Sequence, residues 1–437
     1  MEEGKGRLLS PGFPVDGQLA RASEIASADF SKWLVRVLLK KWGEDPDFAA
    51  AGPILIGSAS RDELCPRSDL DVLFSGDEAA GARFVRSCQE KGIRLRSRFP
   101  ESATDWTVGV DIPDILALRE GRALTPESAA LLVDQQKKID GRARKERKAW
   151  LKVLRKERRS REERFDSIAN VLEPNLKYGP GGLRDLDQGR QVLRLFPERF
   201  QNGEAERAGQ VFAYYANLWT LIRQRLHLDG QTDLFTGPAQ FDLARWFGMN
   251  HKDLMREVQR GLSRVHFYSE WVFTRAEATT AMLSKIEKVS LESPEKIFRS
   301  LEENPGILMQ HRVRQRLSEV FPKNWIAKFP RERGALLEKV LKPGASDELI
   351  RAVFQSRLID RLQPEFKPLV GLVQHDQYHR YTADVHLQQA CREFQKTLKT
   401  PSRLGPLAKE VREMTPLDRR VLGLAMFFHD LMKGREG

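Results

Sequence analysis

Residues 53–74 read PILIGSASRDELCPRSDLDVLF, and this stretch decides the fold. Two apolar runs, 53–56 and 70–74, lie on either side of a turn that begins with Gly57 and Ser58. Short apolar runs around a small-residue turn predict two β-strands. The stretch therefore predicts the start of a sheet, with a turn whose backbone can come close to a ligand.

Two aspartates, Asp69 and Asp71, stand at the beginning of the second predicted strand. Residues two apart on a strand point to the same side, so both carboxylates are expected on one face. Like charges held close together raise each other's pKa, and a divalent cation between them removes that cost. Mg²⁺ prefers carboxylate oxygens together with the phosphates of a substrate. The pair predicts metal-dependent nucleotidyl transfer, and two exposed turn aspartates are the alternative.

A transferase of this kind usually needs a third carboxylate from a neighbouring strand. Residues 93–99 and 106–112 both alternate like strands, and the second of these reads WTVGVDI. Asp111 is the favoured third carboxylate, and Asp105 is the second candidate.

The remaining sequence is overwhelmingly helical. A helix is predicted over residues 17–45, and helical periodicity dominates from about residue 115 to the end. We therefore predict an α+β fold, in which a small α/β module is followed by a mostly helical body. The predicted domains are an N-terminal helical segment (1–50), a catalytic core (51–125), an associated helical domain (126–300) and a C-terminal helical region (301–437).

The composition is that of a globular chain of two or three domains. The 437 residues are 41% hydrophobic and 31% charged, and no apolar run approaches the length that spans a bilayer. Residues 1–17 lack the apolar core of a signal peptide. The three cysteines show no metal-like or disulfide-like spacing, which fits a reducing compartment: Cys65, Cys88 and Cys391. We expect a cytoplasmic protein.

Much of the formal net charge of +12 comes from one segment, residues 137–164, which holds 14 Lys or Arg and 5 Asp or Glu. Acidic residues recur there at helical spacing, and Trp150, Leu151 and Leu154 form a possible packing stripe. The favoured interpretation is a solvated helix with ion pairs between residues four apart. Contact with a polyanion, either a triphosphate or a nucleic acid, is the alternative.

A second motif, EPNLKYGPGGLRDLD, occupies residues 173–187. Its Gly-Pro-Gly-Gly turn leads into a helix start, with an expected charge pair between Arg184 and Asp185. We expect Gly181, Gly182, Arg184 and Asp185 to contribute to the cleft for the nucleotide or a protein substrate.

The two motifs together resemble those of the bacterial PII uridylyltransferase/uridylyl-removing enzymes, and the resemblance extends across most of the chain. It implies a polymerase-beta-like nucleotidyltransferase, a helical domain and an all-α HD-type hydrolase domain. It also implies transfer of UMP from UTP to a tyrosine of the PII signalling protein, with Mg²⁺ as cofactor, and a separate activity that removes the UMP. The glutamine synthetase adenylyltransferases are a related family with similar parts.

The resemblance assigns roles to individual residues. It implies nucleotide binding by Gly57, Ser58 and Arg61, and metal binding by Asp69 and Asp71. The family more often has glycine where this chain has Ser58, Ser60 and Asp62, and typically an aspartate where it has Thr107.

The C-terminal end resembles the opening of an HD domain in residues 375–386 and 424–437. His386, His429 and Asp430 match metal ligands of that domain, where an ion held by imidazoles and a carboxylate activates water. The final metal aspartate of the family and its ACT domains would lie beyond residue 437. We therefore expect an incomplete hydrolase site, in either a fragment or a natural short form.

Three other functions stay open at this point. Asp62 and Thr107 favour a degenerate regulatory relative without transfer activity. An adenylyltransferase-like enzyme would use ATP, and residues that contact only phosphates and metal do not distinguish it from a UTP enzyme. An RNA nucleotidyltransferase would use the basic segment, but the second motif and the HD-like end favour PII.

Overall fold

The structure is a computed structural model that describes residues 18–102, 104–165, 169, 171–200, 203–279, 292–303, 319–321, 328–372 and 381–434. It divides the chain into two compact units. The first unit comprises Met1–Ser167 and Asn175–Asn250, and the second comprises Ile168–Pro174 and His251–Gly437. These units are coarser than the four predicted domains, whose boundaries stay predictions.

The first unit contains a mixed four-stranded sheet in the order β3-β2-β1-β4. Its strands are β1 Pro53–Ile56, β2 Leu70–Phe74, β3 Leu95–Arg98 and β4 Arg122–Ala123. Strand β1 is antiparallel to both β2 and β4, whereas β2 and β3 are parallel. The two strands of the opening stretch and the strand within 93–99 are therefore confirmed.

Nine helices surround this sheet in the described part of the first unit. They are α1 Gln18–Trp42, α2 Pro46–Ala50, α3 Glu78–Glu90, α4 Ile112–Arg119, α5 Pro126–Lys145, α6 Arg147–Phe165, α7 Leu183–Leu195, α8 Glu204–Leu228 and α9 Gly237–Trp246. The sheet core is built from aliphatic strand residues and a group of aromatic rings that includes Trp42, Phe48, Phe74 and Phe84. The α+β class is confirmed.

The second unit is helical throughout its described residues. Its helices are α10 His251–Glu277, α11 Pro294–Glu303, α12 Pro330–Leu341, α13 Asp347–Gln355, α14 Ile359–Leu362, α15 Ala383–Lys399, α16 Ala408–Glu413 and α17 Pro416–Phe428. Phe354, Phe366 and Phe427 meet in its core, with ring centroids 5.4–6.2 Å apart. Among the described helices of the chain, none combines the length and apolarity needed to cross a bilayer.

The predicted strand over 106–112 is wrong, because the chain turns there and then enters α4. Gly109 has a left-handed φ of 69°, which breaks an extended run. Asp111 is the N-cap of α4, and its side chain accepts the N–H of Asp114 at 3.1 Å. Pro113 follows in the first helical turn, where a missing N–H costs nothing.

The basic segment forms the end of α5 and most of α6, and the packing stripe is confirmed, since Trp150, Leu151 and Leu154 are buried. Ion pairs four residues apart are present at Arg142–Glu146, Arg158–Glu162 and Arg161–Glu157. Arg158 and Arg161 also point inward rather than into solvent. The segment is thus partly a structural element of the core.

Candidate active site

The turn after β1 lies directly against one of the two aspartates. Gly57 has a φ of 66°, and a Cβ atom placed on it would lie 2.9 Å from Oδ2 of Asp71. The turn is closed by the N–H of Glu63, which donates to the carbonyl of Ser58 at 2.9 Å. The Ser60 hydroxyl donates to the carbonyl of Gly57. The structure therefore brings the predicted phosphate-side turn and Asp71 together.

Asp62 occupies a special position within this turn. Its φ of 58° is left-handed, a conformation that glycine adopts freely and aspartate tolerates better than most residues. Arg122 of β4 neutralises its charge, with Nη1 lying 3.1 Å from Oδ1 of Asp62 and Nη2 donating to the carbonyl of Ala59. Asp62 is therefore a paired turn residue, and β4, which the sequence analysis missed, supplies its partner.

The two aspartates lie at the start of β2, Asp69 just before the strand and Asp71 within it. Asp71 pairs in register with Ile56 of β1 and with Arg96 of β3. Asp69 is nearly half exposed, and its Oδ2 lies 4.0 Å from Nε of Arg96. Burial raises the pKa of Asp71, and the charge of Asp69 acts in the same direction. A cation between the two carboxylates would relieve both effects, so the residues fit a divalent metal.

The two candidates for the third carboxylate both accept hydrogen bonds from neighbouring residues. Asp111 caps α4, and Asp105 accepts both the hydroxyl of Thr107, at 2.6 Å, and its N–H. Thr107 is buried and accepts in turn from Arg142. Among the described residues, Asp69 and Asp71 belong to no group of three acidic, histidine or cysteine residues whose ligand atoms lie within 4.8 Å of one another. Asp111 as a third ligand stays a prediction.

The second motif forms a tight loop that requires its glycines. Asn175 accepts the N–H groups of Lys177 and Tyr178 through its side chain. A Cβ atom on Gly182 would lie 2.8 Å from the carbonyl oxygen of Leu176, which leaves no room for a larger residue. Gly181 has a left-handed φ of 76°.

The predicted pair between Arg184 and Asp185 is wrong. Asp185 is buried and pairs with two arginines of α6, with Nη2 of Arg158 at 3.2 Å and Nη2 of Arg161 at 2.5 Å. It also accepts the N–H of Gly181 at 2.8 Å. Asp185 therefore supports the loop from behind and does not line a cleft, while Arg184 is exposed.

Arg61 has a different environment from that of a phosphate ligand. Its guanidinium pairs with three carboxylates, those of Glu63, Glu120 and Asp187, at 2.9, 3.0 and 3.1 Å. Burial would lower its pKa, but the three carboxylates outweigh burial and raise it. We interpret Arg61 as a residue that positions the turn.

A second group of candidate residues lies in the second unit. His386 lies in the first turn of α15, and His429 and Asp430 follow α17. Nε2 of His386 lies 3.3 Å from Nε2 of His429 and 3.7 Å from Oδ2 of Asp430. The ammonium of Lys433 lies 2.7 Å from the same Asp430 oxygen. The three residues that the sequence analysis assigned to one metal site therefore converge.

This group fits a divalent metal. Its ligand atoms lie within 4.8 Å of one another, which one ion can span. Nδ1 of His429 lies 3.0 Å from the carbonyl oxygen of Met426, and a hydrogen bond there leaves Nε2 available as a ligand. The preceding His375 and His379 of the same motif lie outside the described residues.

The sheet with its aspartate pair, the glycine turn and the helices behind it are features of a nucleotidyltransferase. Comparison with known proteins finds a similarity in part of the chain: residues 150–273 match the family model described as GlnD PII-uridylyltransferase. The resemblance to the uridylyltransferase family is thereby confirmed.

Curated relatives named bifunctional uridylyltransferase/uridylyl-removing enzyme match most of the chain. The protein of Cupriavidus metallidurans is 25% identical over 450 residues, which cover 88% of this chain and 50% of the relative. The protein of Bordetella avium is 26% identical, with 89% and 51% covered, and that of Burkholderia lata is 23% identical, with 95% and 54% covered. The chain thus spans about half the length of these relatives. No solved structure matches it.

Proposed function

We propose that the chain transfers UMP from UTP to a tyrosine of the PII nitrogen-regulatory protein, with release of pyrophosphate and with Mg²⁺ as cofactor. The family match supports this proposal, since the matching relatives are named uridylyltransferases. The observation that carries it is the closeness of the Gly57 turn to Asp71, because a turn that could receive a phosphate then lies beside a carboxylate that could bind a metal.

The chemistry assigned to these residues is an in-line substitution at the α-phosphorus. The tyrosine oxygen loses its proton and forms the new phosphodiester bond as the bond to pyrophosphate breaks. Mg²⁺, when bound, would neutralise the triphosphate and the developing charge on both oxygens. Asp69 and Asp71 would hold the metal, with Asp111 as the proposed third ligand. The Gly57–Ser58 turn would orient the phosphates.

The test is labelling of PII with UTP that carries the radioactive label in its α-phosphate, in the presence of Mg²⁺. We expect wild-type protein to label PII, and Asp69→Ala and Asp71→Ala to abolish labelling. Asp134→Ala, which removes an exposed carboxylate of α5, is the matched control and should retain activity. Wild-type protein that labels nothing would overturn the proposal. Labelling by ATP in place of UTP would favour an adenylyltransferase-like enzyme.

We further propose that His386, His429 and Asp430 hold a divalent metal in the second unit. The convergence of their ligand atoms supports this assignment. Hydrolysis of UMP from modified PII is the reaction that such a metal would serve. The measurement is the release of label from PII-UMP, which His429→Ala should abolish. We propose a cytoplasmic location, which the three free, buried cysteines support.

A further inference from the structure

Arg61 belongs to a charge-balanced group that joins the two sequence motifs. This clamp cluster consists of three arginines and three acids: Arg61, Arg190, Arg194, Glu63, Glu120 and Asp187. Nη1 of Arg190 lies 2.6 Å from Glu63, and Nη1 of Arg194 lies 2.8 Å from Glu120. The cluster thus fastens the turn after β1, and the residue after α4, to helix α7.

The clamp cluster engages all three guanidinium nitrogens of Arg61. Its Nε and both terminal nitrogens each have a carboxylate partner. Burial alone would raise the pKa of Glu63, but Arg190 and Arg61 outweigh it and lower that pKa to about 2. A phosphate that captured Arg61 would leave three acids with two arginines, and Asp187 would keep only Arg190 at 3.9 Å, which is unfavourable.

Helix α7 presents a different cation at its beginning. Asp187, Arg190 and Arg194 follow Arg184 at spacings of three, three and four residues, so all four lie on one side of the helix. The last three contact the turn after β1 or the residue after α4. Arg184 is exposed, and no described residue pairs with its guanidinium. Arg184 lies one turn before Asp187, which pairs with Arg61 of the turn that lies against Asp71.

Lys177 accompanies Arg184. The N–H of Arg184 donates to the carbonyl of Lys177 at 2.9 Å, so the two side chains start from adjacent points of one loop. The ammonium of Lys177 lies 5.1 Å from the ring centroid of Tyr178. Two cations without a carboxylate partner among the described residues therefore lie together where the loop meets α7.

We infer that Arg184 and Lys177 bind the polyphosphate of the nucleotide opposite Asp71, and that Arg61 is a positioning residue that holds Arg184 there through the clamp cluster. This inference rests on the proposed function. It assigns the cationic contacts to the phosphates to the second motif, beside the Gly57–Ser58 turn of the first. It also gives the glycine-rich loop a purpose, because the loop places both cations at one point.

The test measures binding of Mg²⁺-tripolyphosphate and of Mg²⁺-UTP by calorimetry. Arg184→Gln and Lys177→Gln should each lower the affinity for both ligands by roughly tenfold, because each removes one charge-assisted contact. Arg159→Gln removes an exposed arginine of α6 and is the matched control, with unchanged affinity. Thermal melting establishes that each variant is folded.

Asp187→Asn separates positioning from direct binding by the sign of its effect. The change frees one nitrogen of Arg61. If Arg61 contacted the phosphates directly, the nucleotide would therefore bind more tightly. If Arg61 is a positioning residue, Asp187→Asn loosens its hold on α7, and the affinity for the nucleotide should fall. Adding Arg61→Ala to Asp187→Asn should then cause little further loss of affinity. Tighter binding in Asp187→Asn, or unchanged binding in Arg184→Gln, would overturn the inference.

Failure of the proposed function gives a different pattern. If the protein binds tripolyphosphate through Arg184 but never labels PII, the inference stands and the proposed transfer fails. If it labels PII while Arg184→Gln binds normally, the transfer stands and the inference fails. Wild-type protein that binds neither ligand would overturn both.

Discussion

At the scale of single residues, Gly57 has little conformational freedom. Its left-handed φ costs any other L-residue about 1–2 kcal/mol, and a side chain would also press on Asp71. We expect Gly57→Ala to lower stability by about that amount and to abolish Mg²⁺-dependent UTP binding. Gly92 has a similar φ of 69° with no atom within 4 Å, so Gly92→Ala is the control. It should lose similar stability, measured by urea unfolding, and keep full binding.

Asp71 gives a second prediction at this scale. Burial raises its pKa in the folded state, so the folded protein holds the proton more tightly than the unfolded chain. Stability is therefore lost as the pH rises from the ordinary aspartate range through the raised pKa. Without divalent ions at pH 7, Asp71→Asn should unfold at a higher urea concentration than wild type. With saturating Mg²⁺, only wild type should gain stability. A less stable Asp71→Asn in metal-free buffer would contradict this.

The roles of these residues were predictable from sequence to different degrees. Asp69 and Asp71 could be found because the geometry that pairs them is local and repeats every two residues. The sequence analysis assigned Arg61 to nucleotide binding and Asp185 to the cleft because the motifs that contain them were assigned there. Their actual partners, Asp187 for Arg61 and Arg158 for Asp185, lie far along the chain. Only the packing of helices decides such contacts.

At the scale of elements, α4 shows how a local signal can be misinterpreted. The alternation in WTVGVDI suggests a strand, but the next residues contain a helix start that was visible in the sequence. An aspartate at the N-cap followed by a proline in the first turn is typical of a helix beginning. Such a capping signal outweighs a short alternating run that contains a glycine.

Helix α6 gives the prediction that belongs to this scale. Its Arg158 and Arg161 are almost fully buried and depend on the carboxylate of Asp185. Asp185→Ala would leave buried charges short of a partner and should lower the free energy of unfolding by about 3–5 kcal/mol. Asp134→Ala breaks only an exposed pair with Lys138 and should cost under about 1 kcal/mol. Equal urea midpoints for the two variants would show that α6 does not depend on Asp185.

At the scale of the whole molecule, the two candidate sites lie in different compact units. Each ligand should therefore protect its own unit in hydrogen exchange. Mg²⁺-UTP should slow exchange around β1 and β2, and this effect should survive His429→Ala. Mn²⁺ should slow exchange in α15 and α17, and His429→Ala should abolish that protection. Loss of both effects in one variant would contradict independent sites.

Lys433 makes the metal assignment in the second unit sharper. Its ammonium lies 2.7 Å from the Asp430 oxygen that a metal would need, so the two cations compete for one carboxylate. Lys433→Met removes the competitor and should tighten Mn²⁺ binding, whereas His386→Ala removes a ligand and should weaken it. At a metal concentration 100 times Kd, binding adds about 2.7 kcal/mol to stability, which thermal melting detects. If Lys433→Met weakened Mn²⁺ binding instead, the ammonium would support the site. The convergence of the three residues would then be due to the Asp430–Lys433 ion pair rather than to a metal.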